Sequence, residues 1–574
     1  NTGSAAPVLA GLSAAVDGLA LEAFHASLAP AYPESVALLA VGGFGRRELF
    51  PYSDIDIVIL LDRESQTARL KEPLAEFVRL LWDAGLRLSH SVRTVAECLK
   101  LHEQNIELNI SLLDRRFLGG DRSVYDKVEE RLPAFVEKQR GPLCRSLCEQ
   151  ARTRYLRYQD TLYHLEPDVK ETPGGVRDLH AIHWLSLLHN RTAAETESLP
   201  SAKAFLHSLR CFLHYRAQRD QNLLNFDAQD TIAEQPFTPV KVPALWMREY
   251  FRNARLIHRE ARRALNASEQ SGGSLAGQLR DWRSRLSNAE FTVSRERVFV
   301  RNPGQLQAEP ACIFRLFEFV ARHGTPLAAD TERRLENCRS VFAAYCEGPE
   351  GSWPAFAAIL SLPNTALALR AMHNTGLLEV LLPEWDGISC LVVPDFYHRY
   401  TVDEHTLVAV EHLGALRGTQ TGARGSFADL LSEIDLPAVL SFALMFHDTG
   451  KAAGREGHVR RSAELARQAG MRLQIPAPEL ETAVFLIERH VDLYGTMNAR
   501  DLSDPATARM LAGRCGTIEC LKMLTLIAYA DVSAVNPGAM TPWRLEQLGR
   551  AYDVTRHQLV RELETGRIQQ PPEG

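Results

Sequence analysis

The sequence lacks the cysteine spacing of a disulfide framework or of a metal-binding pair. Its 10 cysteines are scattered without a Cys-x-x-Cys pair, and long chains of cytoplasmic type rarely join such cysteines in disulfides. The closest spacings, Cys144 with Cys148 and Cys515 with Cys520, each fall in a stretch that is predicted to be helical. We expect the cysteines to be reduced and mostly buried as small hydrophobic side chains.

Long apolar runs and an excess of basic charge are missing as well. The longest nearly unbroken apolar run, residues 436–446, is far shorter than the roughly 20 residues that span a bilayer, and no signal peptide is visible. Basic residues number 65 and acidic residues 71, a formal net charge of −6. A general electrostatic footprint for nucleic acid is therefore absent. We expect a cytoplasmic protein with no membrane partner, and a nucleic-acid partner is not expected.

What the chain does have is ample core material in segments of helical and β length. Its 574 residues, 45% hydrophobic and 24% charged, suggest roughly three or four domains at about 150 residues each. Apolar runs at 36–41 and 55–61 predict buried strands, residues 86–93 are a candidate third strand, and 291–300 is a possible strand pair. Most of the remaining pattern, including 152–163, is helical. The sequence predicts a predominantly α protein with an N-terminal α/β segment.

A glycine-rich turn between two predicted strands is the first candidate site. Gly42 and Gly43 let the main chain approach closely, so that backbone N–H groups could cradle a polyphosphate. Asp54 and Asp56 alternate with core residues, so both point to one face of the strand. Two such carboxylates repel each other unless a cation lies between them, and Mg²⁺ takes oxygen ligands and bridges to phosphates. Further candidate nucleotide-binding residues are Arg46, Arg47 and Ser53.

The order strand, Gly-Gly, short helix and Asp-x-Asp strand resembles the polymerase-β-type nucleotidyltransferase fold. The resemblance implies that Asp54 and Asp56 bind two metal ions for in-line attack on an α-phosphate, with release of pyrophosphate. Such enzymes commonly carry a third carboxylate on a later strand, but the candidate strand 86–93 has none. Glu107 or Asp114 could substitute, and the sequence does not choose between them.

Histidine and aspartate residues within apolar helical segments form the second candidate site. A buried carboxylate without a partner costs several kcal/mol, so Asp531, in a segment with almost no other polarity, predicts a cation nearby. Mixed nitrogen and oxygen ligands suit Mn²⁺, Fe²⁺, Zn²⁺ or Mg²⁺ without distinguishing them. A bound metal lowers the pKa of water and polarises a phosphoryl oxygen, which is phosphohydrolase chemistry. The other members of the set are His405, the adjacent pair His447 and Asp448, His458 and His490.

The order of these residues along the chain resembles the HD superfamily of metal-dependent phosphohydrolases. The resemblance implies that one metal ion is held by His405, His447, Asp448 and Asp531. By the same resemblance, His458 and His490 lie where some members bind a second metal. Lys451, one turn after the His-Asp pair, either steadies the phosphate or is an exposed lysine at a helix end.

Longer stretches narrow the resemblance to one family. Residues 42–56, 165–179 and 398–407 look like the bifunctional uridylyltransferase/uridylyl-removing enzymes of the bacterial nitrogen-regulatory PII protein. The resemblance implies transfer of UMP from UTP to a tyrosine of PII, and hydrolysis of the resulting phosphodiester to PII and UMP. Shorter matches lie at 90–94, 376–378, 383–384 and 500–505.

Together, the two resemblances and the segment pattern predict the domain layout. We expect a nucleotidyltransferase domain with a mixed sheet at 1–125, a helical domain at 126–266, a linker and connecting helices at 267–390, an all-α HD domain at 391–560 and a tail at 561–574. The polar stretch 268–274 is the predicted internal linker. In the loop at 166–179, proline and paired glycine interrupt the helical pattern. That loop either joins two helices or brings Arg177 and Asp178 to the substrate.

One departure and three alternatives stay open. Family members continue into two ACT domains that sense glutamine, whereas this chain stops soon after residue 565, so we expect a truncated chain or one regulated by PII-bound effectors alone, with a weak response to glutamine. Nothing in the sequence indicates a preference for uracil over adenine, so an adenylyltransferase is one alternative. A tRNA nucleotidyltransferase with an HD domain joins the same two superfamilies. The third alternative is a regulatory binding protein with one degenerate site.

Overall fold

A computed structural model describes residues 4–32, 34–63, 70–102, 105–190, 198–236, 238, 240–271, 286–348, 351–393, 399–418, 422 and 424–569. The chain divides into two compact units, Asn1–Gly273 and Ser274–Gly574. The described residues are mostly helical, with one four-stranded mixed sheet and one two-stranded sheet. The prediction of a mostly α protein with a small mixed sheet is therefore confirmed.

The N-terminal unit is built around the four-stranded sheet, whose order is β3-β2-β1-β4. β1 pairs antiparallel with β2 and β4, and β2 pairs parallel with β3. The strands are β1 (Val36–Ala40), β2 (Ile55–Leu61), β3 (Leu88–Thr94) and β4 (Arg116–Gly120). The helices are α1 (Ala6–Ala31), α2 (Gly42–Gly45), α3 (Lys71–Asp83), α4 (Val95–Cys98), α5 (Glu107–Ile110), α6 (Arg122–Arg157), α7 (Val176–Leu188), α8 (Leu199–Ala217), α9 (Phe226–Ala233) and α10 (Pro243–Ser271).

Both central strands are covered on both faces, which explains their continuous apolar sequence. One face of β1 and β2 packs on α1 and α3, and it carries Ile55 and Ile57, each 1% exposed. The opposite face packs on α6 through residues such as Val58 and Leu60. Because side chains alternate along a strand, Asp56 belongs to the second face, at the end of β2 where that cover stops.

Helix α1 is the one described helix that is long and apolar enough to cross a membrane by length and composition alone. A bent pair, Gly425–Ser432 with Pro437–Ala453, passes the same test when it is taken as one span. Phe24 and Leu28 of α1 are at most 2% exposed and belong to the core beside the sheet. Such packing is what a core helix shows, and core helices pass this test as well as membrane spans do.

Three predicted segments differ from the structure. The helix predicted over 152–163 ends at Arg157, because Gln159 and Asp160 adopt left-handed backbone angles that an α-helix does not contain. The predicted linker begins too early, since Ser268–Ser271 still belong to α10, while 272–274 lie outside the described residues. The predicted tail begins too early as well, because the last helix runs to Gln569 and only 570–574 fall outside the described part.

The C-terminal unit is a helical assembly around one large core. Its only strands within the described ranges are the predicted pair, β5 (Phe291–Ser294) and β6 (Arg297–Val300). Its helices are α11 (Gln305–Ala308), α12 (Ala311–His323), α13 (Ala329–Glu336), α14 (Arg339–Cys346), α15 (Trp353–Leu360), α16 (Thr365–Thr375), α17 (Leu377–Leu381), α18 (Val402–Ala415), α19 (Gly425–Ser432), α20 (Pro437–Phe446), α21 (His458–Leu473), α22 (Ala477–Arg489), α23 (Asp492–Ala499), α24 (Pro505–Cys515), α25 (Ile518–Val535) and α26 (Pro542–Gln569).

The cysteines are distributed over both units as free thiols. Eight of them are buried, and Cys346 and Cys520 are half-buried. Burial raises the pKa of Cys98 and of Cys515, to about 11 and about 12. The expectation of mostly buried cysteines is confirmed, and buried thiols of this kind behave as small apolar side chains.

Candidate functional site

The Gly-Gly turn lies directly against the second aspartate of the N-terminal unit. Gly42 begins the short helix α2 with a φ of 56°, in the left-handed region. A Cβ atom at Gly42 would stand 3.0 Å from Oδ2 of Asp56. The position therefore needs glycine twice, for its backbone angle and for the close approach of the main chain to the carboxylate. Gly43 follows it in the first turn of α2.

Asp54 and Asp56 differ in exposure although they are two residues apart. Asp54 precedes β2, its side chain is 61% exposed, and Arg87 Nε lies 3.2 Å from its Oδ1. Asp56 is half-buried and pairs in register with Ser89 of β3. Burial raises the pKa of Asp56, a hydrogen bond with Ser89 opposes that rise, and the charge of Asp54 adds to it. A cation between the two carboxylates would relieve this repulsion.

The remaining nucleotide-binding candidates of this turn have unequal freedom. Ser53 keeps its hydroxyl oxygen buried without a hydrogen bond among the described residues. Arg47 is exposed, with a φ of 60°. Arg46 is fully engaged, because it pairs with Glu48 at 2.9 Å, with Asp114, and with His180 Nε2 at 2.8 Å. Arg46 therefore holds the turn to its surroundings, whereas Arg47 is exposed and the hydroxyl oxygen of Ser53 is buried.

No contact among the described residues joins either candidate for the third carboxylate to the aspartate pair. Asp114 is fully buried and accepts hydrogen bonds from His183 at 3.0 Å and Trp184 at 2.8 Å, besides its pair with Arg46. Its oxygens are thus already used. Glu107 is exposed on α5, and no contact within the described ranges joins it to Asp54 or Asp56. The hydroxyl of Ser89 is what β3 presents to Asp56 instead.

The loop at 166–179 brings one of its two candidates to this site and buries the other. Arg177, 39% exposed, pairs with Glu171 at 3.3 Å, and its charge opposes the raised pKa of Asp56. Asp178 is 0% exposed and accepts from Arg154, from Tyr155 Oη at 2.9 Å and from the backbone N–H of Gly174 at 2.7 Å. The expectation that Asp178 contacts the substrate is corrected, because its carboxylate is saturated inside the unit.

The histidines and aspartates of the C-terminal unit come together from five helices. Helices α20 and α22 end just before His447 and His490, so both rings leave from a helix terminus. His405 lies in the first turn of α18, and α18 packs along α25, which carries Asp531. His458 begins α21. The apolar residues that precede these positions form the core, so the helix ends converge at one place.

Two overlapping clusters result, and they share Asp448. Ligand atoms of His405, His447 and Asp448 lie within 4.8 Å of one another, and the same holds for Asp448, His458 and His490. Oδ1 of Asp531 lies 2.9 Å from His405 Nε2 and 3.6 Å from His447 Nε2. The Asp531 side chain is 27% exposed, so it faces an opening and is not the fully buried carboxylate that its apolar segment suggests.

Three of the histidines share a hydrogen bond that fixes which nitrogen is available. Nδ1 of His447, His458 and His490 contacts the backbone carbonyl oxygen three residues earlier, at 2.7, 2.8 and 2.7 Å. A carbonyl oxygen only accepts, so Nδ1 carries a proton and Nε2 is the nitrogen whose lone pair a metal ion could take. His447 Nε2 is buried without a hydrogen bond in the described structure, 3.4 Å from Oδ2 of Asp448. This arrangement suits metal coordination through Nε2.

The charge balance of the cluster also favours a cation. Burial lowers the pKa of His447, but the carboxylates of Asp448 and Asp531 outweigh burial and raise it to about 10. Without a metal ion, a proton on His447 compensates the charge of the two carboxylates. A bound metal ion would compensate the same charge. Burial lowers the pKa of His490, and the neighbouring His447 lowers it further.

Lys451 is not the exposed lysine of the alternative interpretation. It lies in the 3₁₀ helix Thr449–Ala453, its side chain is 16% exposed, and Nζ is 2.5 Å from Oδ2 of Asp448. It lines a small cavity beside the cluster together with Val393, Tyr400, Val402, His405, Asp448 and Arg455. His398, the first residue of the 398–407 motif, lies outside the described residues.

Sequence reasoning missed the residues that support both sites. Ser89 was hidden because the parallel pairing of β2 with β3 has no local signal. Arg370 and His373, which contact the residues just before His405, lie on α16, more than 30 positions earlier in the chain. Their helical spacing of three was the one available signal, and it is shared by every residue pair on a helix face.

The two sites define a mostly helical protein with paired aspartates at the end of a small mixed sheet and a histidine-aspartate cluster between helices. A sequence profile of the family described as GlnD PII-uridylyltransferase matches residues 144–265. The chain is 31% identical to the bifunctional uridylyltransferase/uridylyl-removing enzyme of Ralstonia nicotianae, over 91% of this chain and 62% of that protein. The enzymes of the same name from Photobacterium profundum and Cereibacter sphaeroides are each 29% identical, over 93% and 94% of this chain and 63% and 60% of theirs.

The chain is thus a relative of the bifunctional uridylyltransferase/uridylyl-removing enzymes over about nine-tenths of its own length. It spans about three-fifths of the length of the curated relatives it matches.

Proposed function

We propose that the protein transfers UMP from UTP to a tyrosine of the PII signalling protein and also hydrolyses the uridylyl-PII phosphodiester, in nitrogen regulation. The observation that carries this proposal is the presence of two separate polar clusters, one in each unit, in a relative of enzymes named for these two opposed activities. One cluster is suited to a magnesium nucleotide and the other to a metal that activates water.

The domain layout proposed with this function follows the two sites. Residues 1–125 are the nucleotidyltransferase domain, 126–266 its associated helical domain, 267–390 the linker and connecting helices, and 391–560 the HD phosphohydrolase domain. A cytoplasmic location fits the same proposal. The loop at 166–179, anchored by Asp178, belongs to the helical domain and supplies Arg177 to the transferase site.

At the transferase site, Asp54 and Asp56 would hold Mg²⁺, which neutralises phosphate charge and orients the α-phosphorus. The backbone of Gly42 and Gly43, with Ser53 and Arg47, binds the triphosphate, and Arg177 compensates charge beside Asp56. The tyrosyl oxygen forms a bond to the α-phosphorus while the bond to the β-phosphate oxygen breaks. Pyrophosphate leaves, and the tyrosyl proton is released.

At the second site, His405, His447, Asp448 and Asp531 would hold one divalent ion, and His458 and His490, with Asp448, a second. A metal bound there makes water acidic enough to act as a nucleophile at neutral pH. The chain's own contribution is to present four histidines, in three of which the hydrogen bond of Nδ1 leaves Nε2 for the metal, and to bring Lys451 to the phosphate. Water oxygen bonds to phosphorus, the bond to the tyrosyl oxygen breaks, a proton released by the water ends on the tyrosyl oxygen, and the products are UMP and unmodified PII.

Incubation with PII and radiolabelled UTP in Mg²⁺, followed by removal of UTP and addition of Mn²⁺, tests both reactions in one sample. The expected result is labelled PII in the first stage and labelled UMP in the second. A parallel reaction with ATP in place of UTP tests the adenylyltransferase alternative. Another, with tRNA in place of PII, tests the tRNA nucleotidyltransferase alternative. PII that stays unlabelled with UTP and becomes labelled with ATP would overturn the assignment of UTP.

A further inference from the structure

Two ion pairs tie α16 to the first turn of α18, where His405 lies. Arg370 donates to both carboxylate oxygens of Glu404, at 2.8 and 2.7 Å, and the Glu404 side chain is 1% exposed. His373, one turn further along α16, has its Nε2 3.3 Å from Oδ2 of Asp403, and both side chains are at most 1% exposed. Asp403 and Glu404 are the two residues that immediately precede His405.

The second ion pair is part of a larger buried set. His373 Nδ1 lies 2.7 Å from Oε1 of Glu379 on α17, and Oδ2 of Asp403 also accepts the backbone N–H of Cys390 at 2.8 Å. Burial lowers the pKa of His373, but the hydrogen bonds to Asp403 and Glu379 outweigh burial and raise it to about 9. His373 is therefore an imidazolium at neutral pH, held between two carboxylates.

The two contacts hold α18 through side chains that leave the helix in different directions. Successive residues of an α-helix point about 100° apart, so Asp403, Glu404 and His405 leave the helix in three directions. The first two directions are held from α16, and the third faces Asp531, 2.9 Å away. Two contacts at different angles fix both the rotation and the axial position of this turn, which one contact would leave free.

Stability alone is a weak reason for burying so much charge. Buried ion pairs are often replaced by apolar residues of similar volume without loss of stability, because their desolvation offsets their attraction. What they supply is one defined geometry. Contacts that orient a metal-binding histidine from behind typically change metal affinity by about 10-fold to 100-fold.

We propose that Arg370 and His373 are positioning residues of the metal site, which grip Glu404 and Asp403 and thereby set His405 where it binds a divalent ion together with His447 and Asp448. The inference rests on the proposed HD-type site. In this proposal Arg370, His373, Asp403 and Glu404 do not contact the substrate. They act only through the position of His405.

Manganese binding to the full chain, measured by calorimetry, tests the positioning role of Arg370 and His373 apart from catalysis. The variants are Arg370→Gln, Arg370→Lys and His373→Gln. The matched control is Arg472→Gln, because Arg472 on α21 likewise donates to both carboxylate oxygens of a glutamate in the same unit, Glu384, at 2.5 and 2.8 Å. Thermal unfolding of each variant in EDTA gives its stability without metal.

The expected result is an affinity for Mn²⁺ that is lowered about 10-fold in Arg370→Gln and His373→Gln. Arg370→Lys keeps the charge but not the second guanidinium nitrogen, which donates to Oε2 of Glu411 at 3.3 Å, so its affinity should fall between these variants and the wild type. Arg472→Gln should lose thermal stability comparably and bind Mn²⁺ as the wild type does.

Wild-type affinity for Mn²⁺ in the folded α16 variants would overturn the positioning role while leaving the metal site intact. So would outright unfolding of all three α16 variants, since the contacts would then hold the fold and not the ligand. A wild-type chain that binds no Mn²⁺ would instead overturn the proposed metal site, and with it the positioning role of Arg370 and His373.

Discussion

The two candidate sites differ in how complete they are before any ligand arrives. The histidine-aspartate cluster has its side chains in contact with one another, with Nε2 of His447 buried and Lys451 on Asp448. The aspartate pair lies at the end of a strand, and Asp54 is 61% exposed with Arg87 as its neighbour. The histidine-aspartate cluster is pre-organised by core packing, whereas we expect the aspartate pair to be completed only by a nucleotide and its metal.

This contrast fits the chemistry proposed for each site. A hydrolase must activate water and exclude it from uncontrolled attack, which favours a preformed pocket of fixed ligands. A nucleotidyltransferase receives much of its metal coordination from the phosphates of its own substrate. Among the described residues, β3 offers Asp56 the hydroxyl of Ser89 and no carboxylate, which makes the first site still more dependent on the nucleotide.

The largest expected effect separates the two sites completely. Asp54→Asn with Asp56→Asn should reduce uridylyl transfer by about a thousandfold or more, because the magnesium ligands are lost. Removal of UMP from uridylyl-PII should stay near the wild-type rate. Asp62→Asn is the control, since Asp62 pairs with Lys127 at the other end of β2. Unchanged transfer in the double variant would take this site out of the mechanism.

The converse substitution is expected to be nearly as severe. His447→Ala with Asp448→Ala removes the one residue that the two clusters share, Asp448, and a second member of the first cluster, so hydrolysis of uridylyl-PII should fall by about a hundredfold or more, and transfer should persist. His557→Ala with Asp553→Ala on α26 is a control made of exposed residues of the same types. Release of labelled UMP over time is the measurement. Equal loss of both reactions would mean that the two sites are not independent.

How far the sequence predicted these sites depends on whether the determinants are local. The alternation around Asp56 and the apolar runs before His447 and His490 are local, so strand, helix ends and polar clusters were predictable. Asp178 was not, because the same loop presents Arg177 outward and buries its neighbour, and only the positions of Arg154 and Tyr155 decide this. The contact of Asp114 with His183 and Trp184 likewise joins residues about 70 positions apart.

Asp178 allows the comparison to be extended from activity to stability. Asp178→Asn leaves Arg154 buried without a negative partner, so the N-terminal unit should lose about 3 kcal/mol of unfolding free energy. Urea unfolding followed by circular dichroism measures this loss. Asp227→Asn is the control, because its carboxylate is 76% exposed beside Arg216, and surface pairs contribute about 1 kcal/mol or less. An Asp178→Asn variant as stable as this control would contradict the anchoring role.

The smallest expected effect has the opposite sign and concerns Asp56 in the absence of metal. Because burial and Asp54 raise the pKa of Asp56, the folded protein binds its proton more tightly than the unfolded chain does. Its ionised form therefore destabilises the folded state as the pH rises above the ordinary value of 3.8. Asp56→Asn should thus melt at the same or a slightly higher temperature than the wild type in EDTA at neutral pH, with a gain that shrinks as the pH is lowered toward that value. A variant that melts well below the wild type would show that Asp56 is held by the fold as Asp178 is, and would remove the distinction between a ligand-completed site and a structural carboxylate.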